Sequence, residues 1–353
     1  MGFIKNGSEY ISGLIAEGIA NGSRTATVTG NYEIDTAIRI PSSFTLLLED
    51  CHLRMADGVF DNMFVNESHG TQKGTTPLGR DRGITIRGNG NAILDGGKYN
   101  GLSESTSKKC GMPHVSKNNL IIFTNTEDIS ISHIACHNSR WWAMNFIYCA
   151  NGHIHGIDFK ACDIGIDKNG NEYHGLIRAR YEEVLVKNVD GIDLRQGCHD
   201  FLIENITGFN EDDTVALTNL NGDMERLYRV EGDSSDICNV TIRNIHASSY
   251  CSIVRLLNQG EFKLHDIHIE DIYDTSLTCP HLDHGRYAIR VGDADVMYGQ
   301  RHSTEKETYN ISIKGVRGRG MAVLHLAGAI GNLTIDDIAS MREETSLIHD
   351  YRV

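Results

Sequence analysis

The 353-residue chain has only four prolines and no low-complexity stretch, so nothing in it marks a linker between domains. No window approaches 18 consecutive apolar residues, and no membrane-spanning helix is expected. The N-terminus, Met1-Gly2-Phe3-Ile4-Lys5, lacks a basic segment leading into an apolar core, so no secretory leader is indicated. The nine cysteines are odd in number and form no C-x-x-C pair. Cys136, Cys149, Cys162, Cys198 and Cys251 fall within or beside apolar strand patterns. They read as reduced core fillers of a cytoplasmic protein, unless a leader has been removed. Basic residues are in deficit too: 33 against 47 acidic ones leave a net charge of −14. That balance disfavours nucleic acid as a partner and repels long polyanions unless a local basic cleft gathers them. Small or weakly charged oligosaccharides are easier partners.

Helical periodicity is almost missing. The exception is residues 8–22, where Ile11, Leu14, Ile15 and Ile19 give one amphipathic stretch between two Asn-Gly pairs, a cap for an otherwise open end. What is present instead is a repeat: apolar, any, apolar, any, small or polar, apolar. It occurs at Ile129 to Ile134, Val184 to Val189, Phe201 to Ile206, Val240 to Ile245, Ile267 to Ile272, Ile311 to Val316 and Leu333 to Ile338, with a weaker copy at Ile154 to Ile157. Steps of 23 residues (131 to 154), 17 (186 to 203) and 22 (313 to 335) read as single coils, and longer steps must carry loops or an unmarked coil. A second apolar strand follows each copy, as at Trp142 to Ile147, Gly191 to Leu194, Thr214 to Leu217, Ile253 to Leu256, Ala288 to Val291 and Ala322 to Leu326. Short strands at such a period, with 36 glycines, predict one all-β domain over residues 1–353: a right-handed parallel β-helix with a short N-terminal capping helix.

One place breaks the apolar monotony. Asn188-Val189-Asp190-Gly191-Ile192-Asp193-Leu194 and Glu211-Asp212-Asp213-Thr214-Val215-Ala216-Leu217 superpose with Ile192 on Val215 and Leu194 on Leu217. Read as successive coils about 4.8 Å apart, they crowd Asp190, Asp212 and Asp213 together. Carboxylates at that distance cannot ionise independently, so their pKa values must split, and split carboxylates are what glycosidic hydrolysis needs.

From about Tyr32 to Ile272 the chain resembles the polygalacturonase-type glycoside hydrolases, family 28. Tyr32-Glu33-Ile34 with Ile40-Pro41-Ser42-Ser43-Phe44-Thr45-Leu46, and Ile84 to Gly90 with Leu94-Asp95-Gly96-Gly97, are similar to the first coils of pectin-degrading β-helices. Ser139-Arg140-Trp141-Trp142 with Cys149-Ala150-Asn151 resembles the family's Ser-Pro-x-Trp and Cys-x-Asn. The two carboxylate motifs resemble its Asn-Thr-Asp-Gly-x-Asp and Gly-Asp-Asp-Cys-Ile-Ala. The resemblance implies Asp212 as general acid and Asp190 and Asp213 as the groups that activate water in an inverting displacement, with carboxyl separations of about 6.5–9.5 Å. It implies no cofactor and no metal. The family's Gly-His-Gly has no counterpart, and its Arg-Ile-Lys is met by Arg255-Leu256-Leu257, so that Arg255 alone is left to hold a substrate carboxylate.

Substrate contacts are further expected from Trp142, Asp193, Arg195 and Arg290, with loops 219–235 and 273–286 over the cleft. Pairing of Arg195 with carboxylates is an equal expectation. Of Trp141 and Trp142, strand alternation buries one and exposes the other. His137, His153, His155 and His174 show no metal-ligand spacing and read as surface or ladder residues. A lyase or uronate epimerase would need a base, and no Lys stands near the acids; a non-catalytic β-helix would not need the three acids to coincide. The expectation is an exo-acting or oligosaccharide-directed glycosidase, a galacturonide before a neutral pectic fragment. As an acidic solenoid with exposed edges, it is also a candidate homo-oligomer.

Overall fold

The computed structural model describes residues 2–97, 116–139, 142–161, 164–167, 172–174, 184–185, 190–280 and 282–353, with backbone only for 164–167, 172–174 and 184–185. Nineteen strands join in one hydrogen-bonded system in which every pairing is parallel, coil upon coil. It is a right-handed parallel β-helix, as the repeat predicts.

The repeat's third position marks the coils directly. Ile86 pairs with Ile131, Ile131 with Ile154, Ile154 with Ile203, Ile203 with Ile242, Ile242 with Ile269, Ile269 with Ile313 and Ile313 with Ile335. All but the last of these isoleucines are buried in one continuous core. The long steps are therefore single coils with loops, and none hides an extra coil. One sequence expectation fails here. Val184–Leu185 pairs antiparallel with Ile164–Asp167 in a separate three-stranded sheet, so the copy at 184–189, whose last four residues lie outside the described ones, is not a coil.

The fifth position of the repeat has a backbone cause. His133, Gly156, Asn205, Asn244, Asp271, Gly315 and Asp337 all have φ between 50° and 67°, the left-handed corner that ends each copy. Gly visits that region freely, and Asn, Asp and His do so more readily than other residues, which makes the position small or polar. A second left-handed column, including Asp128, Asn151, Asp200, Asn239, Asp266, Asn310 and Asn332, links coils through side chains, as in Asn310 Nδ2 to Asp266 at 2.9 Å and Asn332 Nδ2 to Asn310 at 2.7 Å.

The cap helix runs Gly7–Ala20, slightly earlier than 8–22, and buries Ile11 and Ile15 on the first coil. Gly18 is required there, because a Cβ would stand 2.6 Å from the Thr25 carbonyl. At the other end Ile348 is 40% exposed and Leu333, Ile335 and Ile338 are only partly covered. The seven described cysteines are free, four of those expected as core fillers are buried, and Cys162 lies outside the described residues. Among the described residues, no helix is long and apolar enough to cross a membrane.

Candidate active site

A second sheet stacks the shorter strands, and its outward-facing column can be read off the register. Val65 pairs with Ile122, Ile122 with Asn145, Asn145 with Asp193, Asp193 with Ala216, Ala216 with Arg255, Arg255 with Arg290, Arg290 with His325 and His325 with His349. The inward neighbours Ile192, Leu194, Val215, Leu217, Val254 and Leu256 are core. Alternation thus does what the sequence predicts for Arg255, placing it on the outer face.

The three acids meet at the start of this sheet's central strands. One oxygen from each of Asp190, Asp212 and Asp213 lies within 4.8 Å of the others. Asp190 is held at both oxygens: Trp142 Nε1 donates to one at 2.9 Å and the Asp213 backbone N–H to the other at 3.0 Å. Asp190 and Asp213 are buried, and Asp212 is the half-exposed member of the trio. Its carbonyl accepts the Ser249 hydroxyl.

Burial, and then Asp193, Asp212 and Asp213, push the Asp190 carboxyl well above the ordinary range. Burial and Asp212 raise Asp213 to about 6, against the pull of Arg255. Asp193 rises to about 8 through burial, although Arg195 opposes it. At neutral pH the cluster therefore holds protons that isolated aspartates would have lost, and these belong to the group rather than to one residue. Such an arrangement can deliver a proton and retain a base. Its spacing would also let it share one water or hold a cation. These nearest oxygens stand closer together than the about 6.5–9.5 Å expected between the carboxyl groups of an inverting pair.

The other predicted site residues lie in this region, and each is tied to a neighbour within the protein. Arg195 donates to Asp193 at 3.2 Å and to Glu225 at 3.0 Å, and its guanidinium lies 4.1 Å over the Trp142 ring. Trp142 is thus buried behind the acids as a support for Asp190, not displayed as a sugar platform; Trp141 lies outside the described residues. Arg255 is buried and makes two 2.8 Å bonds to Asp293, another at 2.8 Å to the Gly292 carbonyl, and approaches Asp213 at 3.9 Å. Burial lowers its pKa, but Asp293 and Asp213 raise it on balance. Arg290 also binds Asp293. The carboxylate-holding role expected of Arg255 is therefore filled from within the protein.

Asp293, Glu225, Tyr287 and His325 were not expected. Asp293 follows a strand end without periodic signal. Glu225 belongs to the charge-rich segment Asn219 to Ser235, whose Asp223–Leu227 helix carries it to Arg195. Segment 273–286 begins as the end of a strand, and its Leu282 packs with Ala161 and Phe209. Of the histidines, His153 and His155 stack on the surface at 4.4 Å, and His153 pairs with Glu204 at 2.9 Å. His137 is half-buried, and the side chain of His174 is outside the described ones.

The profile described as glycosyl hydrolases family 28 matches residues 71–232, a span that contains all three acids. A hyperthermoactive exopolygalacturonase from Thermotoga maritima is similar in structure, with a TM-score of 0.58 at 14% identity, covering 98% of this chain and 85% of that one. A double mutant of the tailspike protein of E. coli bacteriophage HK620, in complex with pentasaccharide, is similar with a TM-score of 0.54 at 12% identity. That likeness covers 97% of this chain and 63% of the tailspike. No curated protein sequence matches this chain. The chain has the fold of the polygalacturonase-like glycoside hydrolases of family 28.

Proposed function

We propose that the protein is a glycoside hydrolase that cleaves pectic oligosaccharides, galacturonides first, by acid–base displacement at Asp190, Asp212 and Asp213. The observation that carries this reading is the carboxylate trio within 4.8 Å, in which burial and mutual repulsion raise Asp190 and Asp213 so that the cluster shares a proton. Asp212, the least buried of the three, faces the leaving oxygen and passes it the proton that the cluster shares. As that proton leaves the cluster, the Asp190–Asp213 pair, which holds the attacking water, takes the water's proton in the same step, so the trio ends as it began. Both members of the pair are recessed, and Asp190 is fixed by Trp142, so water attacks the anomeric carbon rather than a carboxylate, and the product is inverted. The family 28 match over residues 71–232 and the similarity to an exopolygalacturonase support the substrate class.

A uronide lyase would need a base to remove a carbon-bound proton. The arginine beside the acids, Arg255, is held protonated by Asp293 and does not serve. The test is a panel of pectic oligosaccharides assayed for new reducing ends. Release of saturated ends from galacturonides is expected. Growth of ultraviolet absorbance from an unsaturated uronide would transfer the protein to the lyases, and cleavage of neutral pectic fragments alone would replace the substrate.

A further inference from the structure

The geometry points to an enzyme that works from a chain end: we propose that segment 219–235 is a stop across one side of the groove, and that the glycan lies only over the strands of Arg255, Arg290 and His325. This rests on the glycoside hydrolase reading above and adds to it where the substrate runs and which residues limit it.

The outer column divides at the acids. On one side Val65, Ile122, Trp142, Ile147 and Tyr148 would form an apolar outer face, unlike the polar faces that bind sugars. Met224, Tyr228 and Val230 seal it in a separate buried cluster. The seal is tied down along its length. Glu225 holds Arg195 at 3.0 Å, Tyr228 stacks on His69 at 5.0 Å, and Ser235 meets the Tyr148 hydroxyl at 2.7 Å. Asp233 pairs with Arg80, and the Glu231 N–H donates to the Thr75 carbonyl at 3.1 Å. These ties reach residues 69 to 80, so the segment leaves the coil just after the acids and returns over coils that precede them.

On the other side the same column offers polar and aromatic groups. Arg290 is half-exposed beside Tyr287, whose ring lies 4.7 Å from His325, and Tyr351 stands 5.3 Å beyond that imidazole. Neither ring nitrogen of His325 has a hydrogen-bond partner although the residue is only 5% exposed. Arg255 and Arg290 share Asp293, and Arg255 also faces Asp213 at 3.9 Å, so the cations on this side are paired within the protein while the imidazole is not. A glycan thus finds polar and aromatic groups on this side and a packed wall at the other, so only a bond near its terminus reaches Asp212.

Galacturonan oligosaccharides of defined length test this in three forms: intact, reduced at the reducing end, and carrying an unsaturated residue at the non-reducing end. Initial products are sized by chromatography. One short product released from the first turnovers, with one of the two end modifications abolishing cleavage by at least 10-fold, is expected. Products of many lengths from both modified forms would overturn chain-end action while leaving hydrolysis intact. Absence of cleavage in all three would overturn the hydrolase reading and this inference with it. As a second arm, a Met224→Ala/Tyr228→Ala variant that retains the fold should gain internal cleavage products, and an unchanged product pattern would show that the segment is not the stop.

Discussion

Two sheets of this solenoid share one stacking geometry and use it in opposite ways. In one, Ile131, Ile154, Ile203, Ile242, Ile269 and Ile313 lie above one another and each buries the next. In the other, Asn145, Asp193, Ala216, Arg255, Arg290 and His325 occupy an equivalent column, with the acid trio at its side. A strand spacing near 4.8 Å turns like apolar neighbours into a core and like charges into perturbed acids. Repetition stabilises the first column. Departure from repetition makes the second one reactive.

The sharpest way to separate the two columns is to neutralise the acids. Asp212→Asn, Asp190→Asn and Asp213→Asn should each lower kcat by about 10²-fold or more, while the melting temperature stays close to wild type or rises for the buried pair. Loss of fold in place of loss of rate would place the acids with the structural column.

Arg255 stands in the second column but has a structural part as well, as a buried ion-pair partner of Asp293 and a neighbour of Asp213. Arg255→Leu leaves Asp293 with one fewer cation in a buried site and should cost about 3–5 kcal/mol in denaturant unfolding. Arg255→Leu/Asp293→Leu should recover part of it. Galacturonides and matching neutral sugars should suffer equally, since the guanidinium is already occupied. Selective loss on the uronide would restore its role as a substrate contact.

In the apolar ladder, Ile242→Ala should cost about 2–5 kcal/mol through lost burial and a cavity. The pH profile of activity should be untouched, and a shifted profile would show that the two sheets are coupled.

The smallest effect concerns Asp193. Its folded pKa, about 8, lies above the ordinary 3.8. Its contribution to stability is therefore full below the unfolded value and is lost as pH rises through 8. Melting temperature should fall from pH 6 to 9 in the wild type and fall less steeply in Asp193→Asn. Parallel curves would mean that Arg195 keeps Asp193 ionised.

Much of this was legible in the sequence because the solenoid writes its geometry locally. The isoleucine markers fix the stacking, and the fifth position reports a left-handed corner that few residues tolerate. Asp190 and Asp213 could be superposed because the apolar residues after them occupy the same register. What stayed hidden depends on contacts distant in sequence. Val184 to Val189 carries the apolar alternation of a coil, yet Val184–Leu185 pairs in a side sheet, and alternation alone cannot tell the two apart. Asp293, beyond a strand end, and Glu225, in the short Asp223–Leu227 helix, neutralise Arg255 and Arg195 from segments that have no period. Trp142 was readable as a strand residue, but its bond to Asp190 follows from the stacking of two coils 48 residues apart.

The central claim is that the acid trio directs water to a glycosidic carbon. Proton NMR of galacturonide hydrolysis, recorded in the first minutes before mutarotation, tests it most directly. The account predicts a saturated product of inverted anomeric configuration, formed by the wild type and not by Asp212→Asn. A product of retained configuration would instead make one of the acids a nucleophile and contradict the mechanism.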